Sequence, residues 1–191
     1  MGKAKDAIFE TSRAACKWAL RYACEQYAMS PTAKLVGGCA LGGGLGLVGL
    51  DGAGQKGMVL AEIEALPRFD AAFVIATCAP RSFECKCGDA CCQGWRPYPP
   101  WKNSIEFIGE FVLESIGKEI ANVRLRRMLI EKHFGVKHKY TDISNRTDIH
   151  RDTASRYFRE IERVLKQHEY PIWVRFDARL EEIGMTSADF H

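Results

Sequence analysis

The sequence has little charge imbalance and no long apolar run. Lys and Arg number 27 against 24 Asp and Glu among 191 residues, so the formal net charge is only +3 and by itself indicates no polyanionic partner. The longest uncharged run, residues 35–50, is rich in glycine and shorter than the roughly 20 apolar residues of a membrane helix. The N-terminus lacks the apolar segment and cleavage site of a secretory signal. We therefore expect a cytoplasmic protein without membrane contact.

Arrangements typical of enzymes are also missing. No acidic triad and no Ser/His/Asp set is recognisable, and scattered carboxylates such as Glu106 and Glu110 fit a solvated helix face. Residues 44–49 satisfy G-x-G-x-x-G but follow no clear strand, and residues 52–57 lack the Ser or Thr of a phosphate loop. The sequence predicts that the protein is not an enzyme, and a nucleic-acid enzyme is the least supported alternative.

Apolar residues recur at helical spacing in most of the chain, and strand signals are weak. The predicted fold is mainly α, with a C-terminal helix-turn-helix and an inserted zinc loop. Helices are expected over residues 4–29, in two segments of residues 58–78 that meet near Pro67, over 101–117, over 122–134, and after Pro171. The predicted division is a helical region 1–77 with a glycine-rich connector 37–57, a zinc-binding loop 78–101, a DNA-binding region 102–183 and a tail 184–191.

Residues 140–165 have the pattern of a helix-turn-helix. Thr141 can cap a short helix that carries Ile143, Thr147 and Asp148 make the turn, and His150 or Asp152 can start the second helix. Asp is one of the few non-glycine residues that tolerate the left-handed backbone region. One face of the second helix is apolar and is expected to point inward; it consists of Ala154, Phe158, Ile161 and Leu165.

The opposite face of this helix has the side chains that read DNA. Arginine can bond both acceptors of guanine, and Ser and Thr can contact bases or phosphates. The predicted contacts are His150, Arg151, Thr153, Ser155 and Arg156, with phosphate contacts from Arg159, Lys137 and Lys139. Charge distribution agrees with this interpretation, because residues 122–179 hold 14 Lys and Arg against 8 Asp and Glu. The alternative is a basic amphipathic helix that binds nothing.

Four cysteines lie within eight residues, in the pattern C-x-C-G-x-x-C-C. Such a cluster in a chain without a secretory signal favours a metal over disulfides. We expect structural Zn²⁺ bound by Cys85, Cys87, Cys91 and Cys92, since a structural site uses four donors. Cys78 or His133 could replace one of the adjacent cysteines, and buried free thiols or a redox pair are the alternatives.

The order of these parts resembles a known family. The segments Gly54-Gln55-Lys56-Gly57-Met58 and Trp95-Arg96-Pro97, and the apolar stretch that ends at Arg81 before the cysteine cluster, are similar to phage Q-type transcription antiterminators. The cluster is more compressed here than in the best-known member, so its ligand roles do not carry over. The resemblance implies binding to double-stranded DNA near a late promoter, capture of paused RNA polymerase with or without sigma factor, and readthrough of terminators. An activator or repressor of initiation is the alternative, and a homodimer is left open.

Overall fold

Seven α-helices and one short hairpin form the described part of this computed structural model, residues 7–28, 50–85, 87, 93–117 and 120–187. The prediction of a mainly α protein is confirmed. The elements are α1 Ser12–Ala28, α2 Leu50–Glu64, α3 Arg68–Cys78, β1 Ser82–Glu84, β2 Trp95–Pro97, α4 Pro99–Ile116, α5 Val123–His133, α6 Tyr140–Thr147 and α7 Arg151–Glu182.

Helix α1 begins later than the sequence predicts, and α2 begins earlier. Residues 7–11 are not helical, and α1 begins at Ser12, where the Thr11 hydroxyl accepts the N–H of Ala14 at 3.1 Å. The last part of the predicted connector, residues 50–57, belongs to α2, and residues 37–49 lie outside the described residues. Pro67 immediately precedes α3, as expected, because proline disfavours helical backbone in the residue before it.

The buried apolar side chains form one core that extends from Phe9 to Met185. Within it, α3 packs on α4, α1 on α2, and α7 on both α5 and α6. The indole of Trp101 on α4 donates to the Ala76 carbonyl of α3 at 3.1 Å. The rings of Phe69 and Phe111 lie 4.0 Å apart, each 5.2 Å from the His168 ring of α7. These contacts tie the last helix to the middle of the chain.

The long helix α7 corrects the prediction of a separate final helix after Pro171. It runs for 32 residues with Pro171 inside it. Proline removes one backbone hydrogen bond and strains the preceding turn. The helix nevertheless continues because Ile172, Phe176 and Leu180 are fully buried. Burial of each such side chain contributes roughly 1.5–3 kcal/mol. The three together stabilise the helix by more than the proline destabilises it.

The predicted tail, residues 184–191, begins with residues that are part of the folded structure. Met185 and Thr186 are buried, and the Met185 carbonyl accepts the N–H of Phe9 at 3.0 Å. Phe9 and Thr186 form a parallel bridge, so the two ends of the described chain meet. Residues 188–191 lie outside the described residues.

Among the residues that the structure describes, no helix is both long and apolar enough to cross a bilayer.

Candidate nucleic-acid interface

The three helices α5, α6 and α7 pack against each other near the C-terminal third of the chain. Asp148 follows α6 with φ 55° and ψ 31°, in the left-handed region. The reversal occurs within three residues, 148–150, before α7 begins. Asp148 has the left-handed backbone that its residue type tolerates, whereas Thr147, the other predicted turn residue, is the last residue of α6.

Capping of these helices follows the prediction for α7 but not for α6. His150 is the N-cap of α7, and its Nδ1 accepts the N–H of Asp152 at 3.4 Å. Thr141 is not a cap, because it lies inside α6, and Lys139 occupies the N-cap position without a side-chain hydrogen bond. Thr147 instead donates its hydroxyl to the Ile143 carbonyl at 2.8 Å, which fixes the last turn of α6.

The inward face of α7 lies where the spacing predicts it. Ala154, Ile161 and Leu165 are fully buried, and Phe158 packs partly buried against the same core. Ile143 of α6 is also fully buried. The apolar period therefore fixes the rotation of α7, and with it the direction of the basic side chains.

Most of the predicted DNA contacts are exposed. His150, Arg151, Arg156 and Arg159 are exposed at the beginning of α7, whereas Thr153 and Ser155 are partly buried beside the apolar face. Lys137 and Lys139 are exposed just before α6, and neither forms an ion pair with a described residue. Residues 137–139 lead directly into α6, whose first residue, Tyr140, lies against Phe158 of α7 with ring centres 6.3 Å apart.

Neighbouring side chains restrain two of these arginines. Arg151 Nε lies 3.6 Å from the Asp152 carboxylate, a weak pair because both groups are exposed. Arg156 Cζ lies 5.2 Å from the centre of the Tyr157 ring. Arg159 forms no ion pair with a described residue. A phosphate would therefore displace little existing contact to bind Arg156 or Arg159.

Further exposed cations continue this surface beyond the residues that the sequence singled out. Arg163 and Lys166 follow Arg156 and Arg159 at spacings of three and four residues, so all four lie on one outward stripe of α7. Arg146 is exposed in the last turn of α6. The helical spacing was the available signal for Arg163 and Lys166. We call this set, with the predicted contacts, the basic face.

Arg126 of α5 has a different role from its exposed neighbours. Its side chain is 4% exposed and pairs with Glu110 at 3.1 Å, and its guanidinium donates to the Ile120 carbonyl at 2.9 Å. This arginine joins α5 to α4 and to the preceding loop. Positive charge in the sequence therefore overstates the charge that α5 presents to a ligand.

The cysteine segment begins and ends in an antiparallel hairpin that the weak strand signals did not predict. Phe83 pairs with Arg96 across β1 and β2, and the Cys85 N–H donates to the Gly94 carbonyl at 2.7 Å. Cys85 is partly buried and Cys87 exposed, with Arg96 Nη2 3.8 Å from the Cys87 sulfur. Cys91 and Cys92 lie outside the described residues. No group of three His, Cys, Asp or Glu able to hold a metal occurs within the described ranges.

Cys78 and His133, the alternative zinc ligands, each contact other side chains. Cys78 is buried at the end of α3 and shares a hydrogen bond with Cys16 of α1, which lowers the Cys78 pKa against the effect of burial. Burial raises the pKa of Cys16 well above its usual value. The His133 ring packs edge-on against Phe134, with ring centres 5.0 Å apart, and burial lowers its pKa. Both side chains already have packing roles.

No family model, curated protein or solved structure matches this chain.

Proposed function

We propose that the protein binds double-stranded DNA through a helix-turn-helix formed by α6 and α7 and supported by α5. The observation that carries this proposal is the left-handed turn at Asp148 between two packed helices, followed by a helix whose outward stripe is basic. In a helix-turn-helix the N-terminal part of the second helix enters the major groove. Here that part holds His150, Arg151 and Arg156.

The side chains of the basic face divide into two groups by position. Arg151 and Arg156 lie within the first two turns of α7, where an arginine reaches base edges and can bond guanine O6 and N7. Lys137, Lys139 and Arg159 are exposed and suit phosphate oxygens, which set position without reading sequence. Asp152 at the start of α7 is compatible with this role, since a carboxylate can accept from cytosine N4.

Within transcription, we propose antitermination: the protein binds promoter-proximal DNA, joins a paused RNA polymerase and promotes terminator readthrough. This step rests on the resemblance of the sequence to phage Q-type proteins. It is analogy in the order of parts and not a property of the helices. An activator or repressor that acts at initiation would need the same DNA contacts, so the two functions separate only in a transcription assay.

We also propose that Cys85, Cys87, Cys91 and Cys92 bind structural Zn²⁺. The hairpin holds residues 85 and 94 together, which closes the segment into a loop, and the Cys87 sulfur lies 3.8 Å from Arg96 Nη2. Zinc would supply stability to this loop and no chemistry. Native mass spectrometry is expected to show one zinc per chain, lost in Cys85→Ser/Cys87→Ser and kept in Cys24→Ser, whose cysteine is buried on α1. Zinc retained in the double variant would contradict this ligand set.

DNA reading is tested with a duplex selected by the full-length protein from a random library, compared with a scrambled duplex of equal length. We expect Arg156→Ala to weaken binding to the selected duplex by about 10- to 100-fold, the 1–3 kcal/mol of a bidentate base contact, and to affect the scrambled duplex less. Arg21→Ala, an exposed arginine on α1, serves as the matched control. Equal losses on both duplexes would make Arg156 a phosphate contact.

Antitermination is tested with purified RNA polymerase on a template that carries the selected site, a promoter and a distant intrinsic terminator. Readthrough that requires the protein, the selected site and Arg156 supports the proposal. Unchanged termination together with altered initiation would instead establish an initiation regulator.

A further inference from the structure

An outward seam in the second half of α7 remains largely open to solvent. Its residues recur at alternating spacings of four and three, which is the period of a helix that packs lengthwise against another helix. The first four side chains are exposed and the last two are partly buried. The seam consists of Arg163, Gln167, Tyr170, Val174, Asp177 and Glu181. We call these six residues the α7 seam.

The centre of the α7 seam is apolar. Tyr170 is 78% and Val174 is 43% exposed, although Ile172 and Phe176 on the opposite side of the helix are fully buried in the core. Single exposed apolar side chains are ordinary on a protein surface. These two lie one helical turn apart on the same seam, so a surface that covers one of them also covers the other.

The two ends of the α7 seam carry opposite charges. Arg163, which also belongs to the basic face, lies at one end, and Asp177 and Glu181 lie at the other. None of these three side chains forms an ion pair with a described residue, whereas Lys166 between them pairs with Glu162 at 3.0 Å. A surface that fits the seam must therefore be acidic at one end, apolar in the middle and basic or polar at the other end.

A second copy of the same seam, in antiparallel orientation, meets this requirement. The register is set where Tyr170 of one copy lies opposite Val174 of the other. The same register places Arg163 opposite Glu181, and the two remaining seam positions face each other. Each contact occurs twice, because the interface of a symmetric dimer is formed by the same patch on both subunits. In a parallel pair, Arg163 would face Arg163 and each carboxylate its own counterpart, and like charges in contact oppose association.

The antiparallel register leaves the beginning of α7 uncovered by the partner helix. The partner's α7 ends at its Glu182, which in this register lies opposite Glu162. Residues 151–161 therefore extend beyond the end of the partner's helix. Arg151 and Arg156 lie in that extension, so the contact between seams does not compete with them for a ligand.

We propose that the protein forms a homodimer through an antiparallel contact between the α7 seams of two copies. Tyr170 and Val174 of each copy exclude water at the centre, and pairs of Arg163 with Glu181 close both ends. The contact is about 27 Å long and one helix wide, so we expect a reversible dimer with a Kd in the micromolar range, as for interfaces below the standard size. The proposal does not depend on DNA binding.

Sedimentation equilibrium of the full-length protein without DNA measures the Kd of the dimer, and circular dichroism checks that each variant folds. We expect Val174→Glu and Arg163→Glu each to raise the Kd about tenfold or more. The first places a charge at the apolar centre, and the second faces the partner's Glu181 with a like charge. The matched controls are Val123→Glu, an exposed valine on α5, and Arg21→Glu, an exposed arginine on α1. Both controls are expected to keep the Kd of the wild type.

Exchange of the charges tests the antiparallel pairing itself. Glu181→Arg alone is expected to weaken the dimer as Arg163→Glu does. The double variant Arg163→Glu/Glu181→Arg restores two opposite-charge pairs and should return the Kd to within about threefold of the wild type, since the two sites are coupled. An equimolar mixture of the two single variants should associate more tightly than either alone, for the same reason. A protein that stays monomeric up to about 1 mM, a dimer that Val174→Glu leaves intact, or a double variant no tighter than the single variants would overturn the proposal.

Discussion

Burial of the guanidinium separates the roles of the arginines in α5–α7. Arg126 is buried and donates to the Ile120 and Ala121 carbonyl groups in the loop before its own helix, whereas Arg127, the next residue, is exposed and pairs with Glu131 at 2.8 Å. Arg156 and Arg159 are exposed without a strong partner. At the residue scale, a count of positive charges therefore predicts a DNA contact only after the buried members are removed.

We expect Arg126→Met to lower the free energy of unfolding by about 2–3 kcal/mol, because it leaves the Ile120 carbonyl and Glu110 without their charged donor. Arg127→Met should cost less than about 1 kcal/mol, since exposed i,i+4 pairs contribute little. Urea unfolding at neutral pH measures both. A larger loss in Arg127→Met than in Arg126→Met would contradict the structural role of Arg126.

His133 makes stability depend on pH. Burial holds its folded pKa below the ordinary value of 6.5, so the neutral ring is favoured in the folded state. Its contribution to stability is present above the unfolded pKa and decreases as the pH falls below about 6.5, because the unfolded chain then binds the proton first. The loss continues until the pH reaches the lower folded pKa.

Comparison with a His133→Gln variant isolates this effect. We expect the wild-type protein to lose more stability than the variant when urea unfolding is repeated at pH 7.5 and pH 5.5. Other groups titrate in both proteins and cancel in the comparison. An identical pH dependence would show that the His133 pKa is the same in the folded and unfolded chains.

At the scale of elements, the turn between α6 and α7 sets where the basic face points. Asp148 is the non-glycine residue with positive φ among the described residues. A side chain in that region costs roughly 1–2 kcal/mol, and Asp and Asn tolerate it better than most. The turn therefore depends on a residue type that the sequence shows directly.

Substitution of Asp148 tests this backbone geometry. Asp148→Gly should keep the Tm nearly unchanged, because glycine adopts positive φ without steric cost. Asp148→Val should destabilise the protein by about 1–2 kcal/mol, since a β-branched side chain is a clear outlier there. Thermal unfolding followed by circular dichroism compares the two variants. Equal Tm values for Val and Gly would show that the turn is not left-handed.

At the scale of the whole molecule, the core does not stop at the boundary between the N-terminal and C-terminal halves. Arg175 of α7 donates through Nε and Nη2 to one oxygen of Asp70 on α3, at 2.8 and 2.6 Å, and Arg179 donates to Glu62 of α2 at 2.6 Å. Aromatic packing of Phe69 on Phe111 and His168 adds apolar contact across the same boundary. The helix α7, and with it the three-helix unit α5–α7, is thus held by the entire fold.

We therefore expect a fragment of residues 99–191 to lack the cooperative thermal transition of the full chain. In the fragment, α4 and α7 would lack the helices α1–α3 that pack against them, so their apolar faces would be exposed. Burial of apolar area is the main source of stability. Circular dichroism melting and hydrogen exchange of α7 amides provide the measurement, with the full chain as reference. A fragment with the same sharp transition and the same protection would show two independent domains.

Local chemistry made several features of this protein predictable. The apolar period of α7 fixes its inward face, Asp148 marks the turn, Pro67 separates α2 from α3, and Asn122 precedes α5, where its side chain accepts the N–H of Leu125 at 3.0 Å. Each of these depends on residues within about two helical turns, so the sequence alone contains the cause.

Contacts between distant residues decided the remainder. The continuation of α7 through Pro171, the burial of Arg126 and the bridge of Phe9 to Thr186 all depend on partners far along the chain. A local pattern carries no signal of such partners, because burial stabilises a proline-containing helix or an unpaired strand only after the core has assembled. The sequence determined which cations lie on the outward face of α7; the tertiary structure decided which cations, such as Arg126, are buried and engaged by other groups.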